Sequence, residues 1–185
     1  MTCVVGVVEN GVVWMGADSF SGNGYFCSKS SLPKVFLRDG ILLGTAGDWR
    51  GSALLQNMEV PACPDDMPVE LYLAGLFVGA MREHFRAHGF LQEVNSQQQT
   101  EDMQILIGFR GRLFALWQQF QVTESLEGYE AIGAGMYVAA GALYAAQQMK
   151  LPVAEQLEMS LMAARAHHPV VRPPFVMMNE HGHVE

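Results

Sequence analysis

The sequence predicts an α+β chain folded as a four-layer αββα sandwich: two antiparallel sheets face each other and helices cover them outside. Three observations predict it. The elements run β-hairpin, β-hairpin, helices, β-meander, helices, β, so antiparallel blocks alternate with helical pairs. Both hairpins carry turn signals, Glu9-Asn10-Gly11 and Arg38-Asp39-Gly40, in which Asn-Gly and Asp-Gly accept positive φ. Half of the 185 residues are apolar and only 16% are charged, as a well-covered interior requires.

The elements follow in order. Residues 2–8 and 12–18 are β-rich runs flanking the first turn. Residues 19–33 are rich in Ser and Gly, broken by Pro33, and read as a loop or ragged hairpin. Residues 34–37 and 41–45 form the second hairpin. Ala46-Gly47-Asp48 ends it, and a helix starts near Trp49 or Gly51. After the Pro-rich stretch 61–68, residues 69–88 read as one long helix with Leu73, Leu76, Phe77, Ala80 and Met81 on its apolar face. The polar, Gln-rich stretch 90–101 reads as a surface connection. Residues 103–109, 112–117 and 120–122 make a three-strand meander, turning at Arg110-Gly111 and Gln118-Gln119. A small-residue helix spans 135–149, Pro152 opens another through about 166, and 175–179 is a last strand. No repeat or linker interrupts residues 1–185, which read as a single domain.

Composition excludes several functions. Eleven basic residues against 19 acidic ones, a net charge of −8, leave no basic footprint for nucleic acid. No apolar run is long enough to span a membrane, and no signal peptide is visible, so the expected location is cytoplasmic. Cys3, Cys27 and Cys63 show no paired spacing and read as reduced thiols. His181 and His183 in the polar tail lack a third convergent ligand, so no metal and no cofactor is expected.

Chemistry concentrates at the head of the chain. Removal of Met1 before a small residue would leave Thr2 with a free α-amine. That amine can act as the base a threonine hydroxyl needs, since its reference pKa near 8 lies close to working pH. Asp18 ends the second strand, 16 positions after Thr2, and Lys34 begins the third, 16 positions later still. A lysine beside the hydroxyl would lower the pKa of both groups, and an aspartate would keep the lysine charged. Gly47 lies at a strand-to-helix turn, where a backbone N–H can meet a developing oxyanion.

These segments, "TCVVGVV", "MGADS", "LPKVF" and "LLGTAGD", resemble the start of a proteasome β-subunit or of the peptidase of the bacterial two-component ATP-dependent protease. "YEAIGAGMYVAAGALYAA" is similar to the family's segment entering its third main helix. The resemblance implies the N-terminal-nucleophile hydrolase fold, assembly of the chain with itself into a ring or double ring, and peptide-bond hydrolysis inside the chamber. It implies Thr2 as nucleophile, with Asp18, Lys34 and Gly47 in the roles described. An ATP-dependent unfoldase is the further partner the family can take. Ser21, Leu32, Phe36, Thr45 and Trp49 would line the substrate pocket, apolar through Leu32, Phe36 and Trp49, with Trp49 filling much of it.

The sequence also departs from the family. Ala134 stands where a serine is usual, His168 where an aspartate orients the threonine, Val171 near a second expected serine, and Phe20 where an arginine would follow. Only Met1 precedes Thr2, so no propeptide is expected, and retention of Met1 would abolish the proposed base. The departures favour an alternative reading, a catalytically inactive or specialised relative whose ring serves as a scaffold or binding shell. Cys3 is the remaining alternative nucleophile, displaced by one position from the matched intervals.

Overall fold

The computed structural model describes residues 2–22, 27–94, 97–99 and 103–184. Strands β1 (Cys3–Glu9) and β2 (Val12–Asp18) form the first hairpin, with Asn10 and Gly11 at φ of 52° and 72°. A short hairpin follows, β3 (Phe20–Gly22) and β4 (Cys27–Lys29); residues 23–26 of the stretch read as a ragged hairpin lie outside the described residues. Then come β5 (Val35–Arg38), β6 (Ile41–Ala46) and α1 (Trp49–Gln56). The second helical region comprises α2 (Val69–Tyr72), a π-helical turn Leu73–Phe77 and α3 (Val78–Ala87). The chain continues through β7 (Gln92–Val94), β8 (Gln97–Gln99), β9 (Gln104–Phe109), β10 (Arg112–Leu116), β11 (Val122–Glu124) and β12 (Tyr129–Gly133). Helices α4 (Met136–Gln148) and α5 (Val153–His167) and strand β13 (Phe175–Asn179) complete it.

Two main antiparallel sheets result, beside the two-stranded pairs β3–β4 and β7–β8. One has four strands in the order β12-β1-β2-β13, the other five in the order β11-β10-β9-β6-β5. Alternation of side chains along each strand sorts the apolar residues into three layers. On β1, Cys3, Val5 and Val7 face α4 and α5, packing with Ala139, Leu143, Leu157 and Leu161. Val4, between them, points into the gap between sheets with Met15, Leu42, Leu106 and Ile132. Ile41 and Leu43 of β6 face the other way, against Leu55, Tyr72, Phe77 and Phe85. This is the αββα sandwich that the order of elements predicts.

Three readings change. Residues 69–88 are not a uniform α-helix: the π-helical turn shifts the phase of the stripe, so Leu76 is 43% exposed while Val78 is buried. Strand β12 falls in a segment read only as a helix entry. It is an edge strand with just Ala131 and Ile132 fully buried, too short a pattern to declare itself. The Gln-rich connection holds the small β7–β8 hairpin. Among the described residues no helix is long and apolar enough to cross a membrane.

Candidate active site

Thr2 leads into β1 and is 3% exposed. Its carbonyl oxygen accepts the Gly135 N–H at 3.4 Å and abuts Gly133, which sits at φ 87° where an added Cβ would collide with that oxygen. The next residue, Cys3, donates its backbone N–H to Asp18 Oδ1 at 2.9 Å. The hairpin register that pairs Val4 with Ala17 explains this: it carries the end of β2 alongside the start of β1.

Asp18 is 1% exposed, and its other oxygen accepts Lys34 Nζ at 2.9 Å and the Phe20 N–H at 3.3 Å. Lys34, itself 6% exposed, precedes β5, and its carbonyl accepts the Thr45 N–H at 2.8 Å, extending the β5–β6 pairing. The ammonium lies 5.7 Å from the centre of the Trp49 ring. After β6 the chain turns at Gly47, φ 106°, and Asp48 caps α1 by accepting the Gly51 N–H at 2.9 Å. Thr2, Lys34, Thr45, Gly47, Trp49 and Ser52 line one narrow cleft.

The electrostatics follow from burial. Loss of water lowers the Lys34 pKa below the ordinary 10.5, and the charge and hydrogen bond of Asp18 oppose that fall. Burial pushes the Cys3 thiol the other way, from 9.0 up to about 12, with the Asp18 carboxylate adding to the rise and Lys34 countering it. A thiol so placed has roughly a thousandfold less thiolate than an ordinary one, which argues against Cys3 as nucleophile. Peptide mapping after iodoacetamide treatment of the native protein is therefore expected to find Cys63, which is partly exposed, modified well before Cys3. Equal rates at the two thiols would contradict this.

The structure thus brings Thr2, Lys34, Gly47, Thr45 and Trp49 to one cleft, with Asp18 directly behind Lys34. Leu32 lines a second recess that also contains Asp18, Ser30, Ser31 and Lys34. Ser21 is half-buried in β3 and lines neither recess, and Phe36 is buried in the helix-facing core with Ile41 and Leu43. Ser52 and Gln104 escaped the sequence reading. Ser52 stands one turn after the Asp48 cap and donates to its carbonyl at 3.1 Å, so the Asp-x-x-x-Ser spacing was its only signal. Gln104 accepts the Gly133 N–H at 2.8 Å. Ala134 is exposed, and Val171 is buried against α5 and β1. Phe20 lies 5.5 Å from the Arg172 guanidinium. His168 caps α5, and its buried Nδ1 has no partner among the described residues. Met1 lies outside the described residues.

Neither models of protein families nor curated proteins match the sequence. Solved structures do match. BPH from Thiobacillus denitrificans superimposes with a TM-score of 0.78 at 20% identity, over 96% of each chain. Eukaryotic HslV from Trypanosoma brucei gives 0.66 at 16% identity, over 96% of this chain and 98% of that one. Anbu, an ancestral beta-subunit, from Yersinia bercovieri gives 0.66 at 15% identity, over 96% and 80%. The likeness is one of fold, and it extends over nearly the whole chain.

Proposed function

This chain has the fold of proteasome-type N-terminal-nucleophile hydrolase subunits, and on that premise we propose that it is a threonine peptidase working inside a self-assembled ring. The observation that carries the reading is the buried Lys34–Asp18 pair, whose lysine opens onto the cleft Thr2 shares with Gly47. Once Met1 is removed, the Thr2 α-amine takes the proton of the Thr2 hydroxyl as its oxygen attacks the peptide carbonyl. The Lys34 ammonium, held charged by Asp18, keeps the amine largely unprotonated and favours the alkoxide. The Gly47 N–H donates to the oxyanion of the tetrahedral intermediate. The amine then returns its proton to the leaving nitrogen, leaving an ester on Thr2. Water, deprotonated by the same amine, hydrolyses the ester and restores the enzyme.

Intact mass measurement together with a covalent probe tests this. The protein is expected to lack Met1 and to gain the mass of epoxomicin, a compound with which the Thiobacillus relative has been solved. Thr2→Ala is expected to abolish both the adduct and peptide hydrolysis, and a fully active Thr2→Ala protein would end the proposal. A second reading, the ring as an inert shell, draws on the small cleft with Trp49 in its wall and on the unpartnered His168 Nδ1. It predicts ring particles in electron micrographs with no adduct on Thr2.

A further inference from the structure

Thr2 and Gly47 ride on different sheets. Thr2 leads into β1 of the four-stranded sheet, and Gly47 follows β6 of the five-stranded one. The separation of the threonine hydroxyl from the Gly47 N–H therefore depends on how the sheets are held together at this end. The Lys34–Asp18 pair is one tie, running from the segment before β5 to the end of β2. Gln104 supplies another. It is the first residue of β9, and its Oε1 accepts the Gly133 N–H of β12 at 2.8 Å. Because that N–H can only donate, the carboxamide must present its oxygen there.

Both ends of this bond touch the site. Across the β6–β9 pairing Gln104 lies opposite Ala46, the residue before Gly47. Across the β1–β12 pairing Gly133 lies opposite Cys3, the residue after Thr2, and it also abuts the Thr2 carbonyl. A single side chain thus joins the neighbour of the oxyanion turn to the neighbour of the nucleophile. We infer that Gln104 is a positioning residue that sets the spacing between the Thr2 hydroxyl and the Gly47 N–H. Its effect on rate rests on the peptidase reading; its effect on geometry does not.

Gln104→Met keeps the length of the side chain and removes the acceptor. In the full chain it is expected to lower kcat roughly 10- to 100-fold, the penalty of a small misplacement of reacting groups, with KM within about twofold of wild type. Amide NMR should show faster exchange at Gly133 and a displaced signal at Gly47, which Gln104 does not itself bond. Gln104→Glu keeps an acceptor oxygen and should restore protection at Gly133. Glu180→Gln is the control. Glu180 accepts the Val13 and Gly111 N–H groups at 2.9 and 3.1 Å and ties the sheets elsewhere, so its loss should lower stability while leaving kcat and the Gly47 signal unchanged. An unmoved Gly47 signal in Gln104→Met, or a kcat that falls equally in both variants, overturns the inference. A wild type without turnover would end the peptidase reading and still leave the Gly47 measurement decisive.

Discussion

Lys34→Met is expected to cut peptide hydrolysis by roughly 10²–10⁴-fold, as loss of a group that tunes proton transfer does, and to destabilise the fold by about 3–5 kcal/mol. The second figure follows from burial: the lysine and aspartate side chains are 4% and 0% exposed, so solvent screens the pair little. Removing the lysine leaves a carboxylate whose donors among the described residues are the Cys3 and Phe20 N–H groups. Asp18→Asn strands the lysine instead. Burial already lowers its pKa, and without the opposing carboxylate the ammonium sheds its proton more readily, which weakens the local positive charge. The double variant Asp18→Asn/Lys34→Met should be more stable than the summed losses predict, by about 1–3 kcal/mol, because neither charge is left alone. Urea unfolding of the four proteins measures this directly. The rate profile gives an independent sign: a nearby cation lowers the pKa of the Thr2 amine, so in residual Lys34→Met activity the acid limb should move to higher pH. Full activity in Lys34→Met, or strictly additive losses, would remove the pair from the mechanism.

The same pair marks the limit of what the sequence discloses. Hairpin turns are local, and Asn10-Gly11 and Asp39-Gly40 announce positive φ in the residues themselves; all four adopt it. The layers are nearly as legible, since Val4 and Val5 must face opposite ways on any strand. An aspartate and a lysine 16 positions apart are another matter, for each alone reads as a solvated charge. Only the resemblance pairs them in advance, and only the folded structure gives their burial and their 2.9 Å separation. Gln104 is less visible still. It heads an apolar strand beside a polar stretch, and nothing near it in sequence reveals a partner at Gly133. Phe36 shows the opposite difficulty. A resemblance assigns a role by position, whereas packing against Ile41 and Leu43 depends on side-chain size in this chain.

Gly133→Ala is expected to be one of the most damaging single methyl additions among the described glycines, costing on the order of 3–5 kcal/mol, because the new Cβ collides with backbone. Two terms combine. An alanine at φ 87° is strained by about 1–2 kcal/mol before any contact is counted. Its Cβ would then meet the Thr2 carbonyl oxygen and lie 3.1 Å from the Ala46 Cβ, and neither is the end of a flexible side chain. Relief requires β12 to draw back from β1, which breaks the Cys3–Gly133 pairing and the Gln104 bond together. Gly141→Ala is the counter-case: nothing lies within 4 Å of an added Cβ on α4, so it should raise stability by roughly 0.5–1 kcal/mol. Thermal unfolding of the two variants should therefore give shifts of opposite sign. Two equal shifts would mean that β12 yields without effort. If Gly133→Ala folds at low temperature, its activity decides a second matter, because a displaced Thr2 carbonyl moves the residue that the proposed mechanism makes both nucleophile and base. Wild-type turnover in that variant would show that the grip of β12 on Thr2 supports the fold without serving the chemistry.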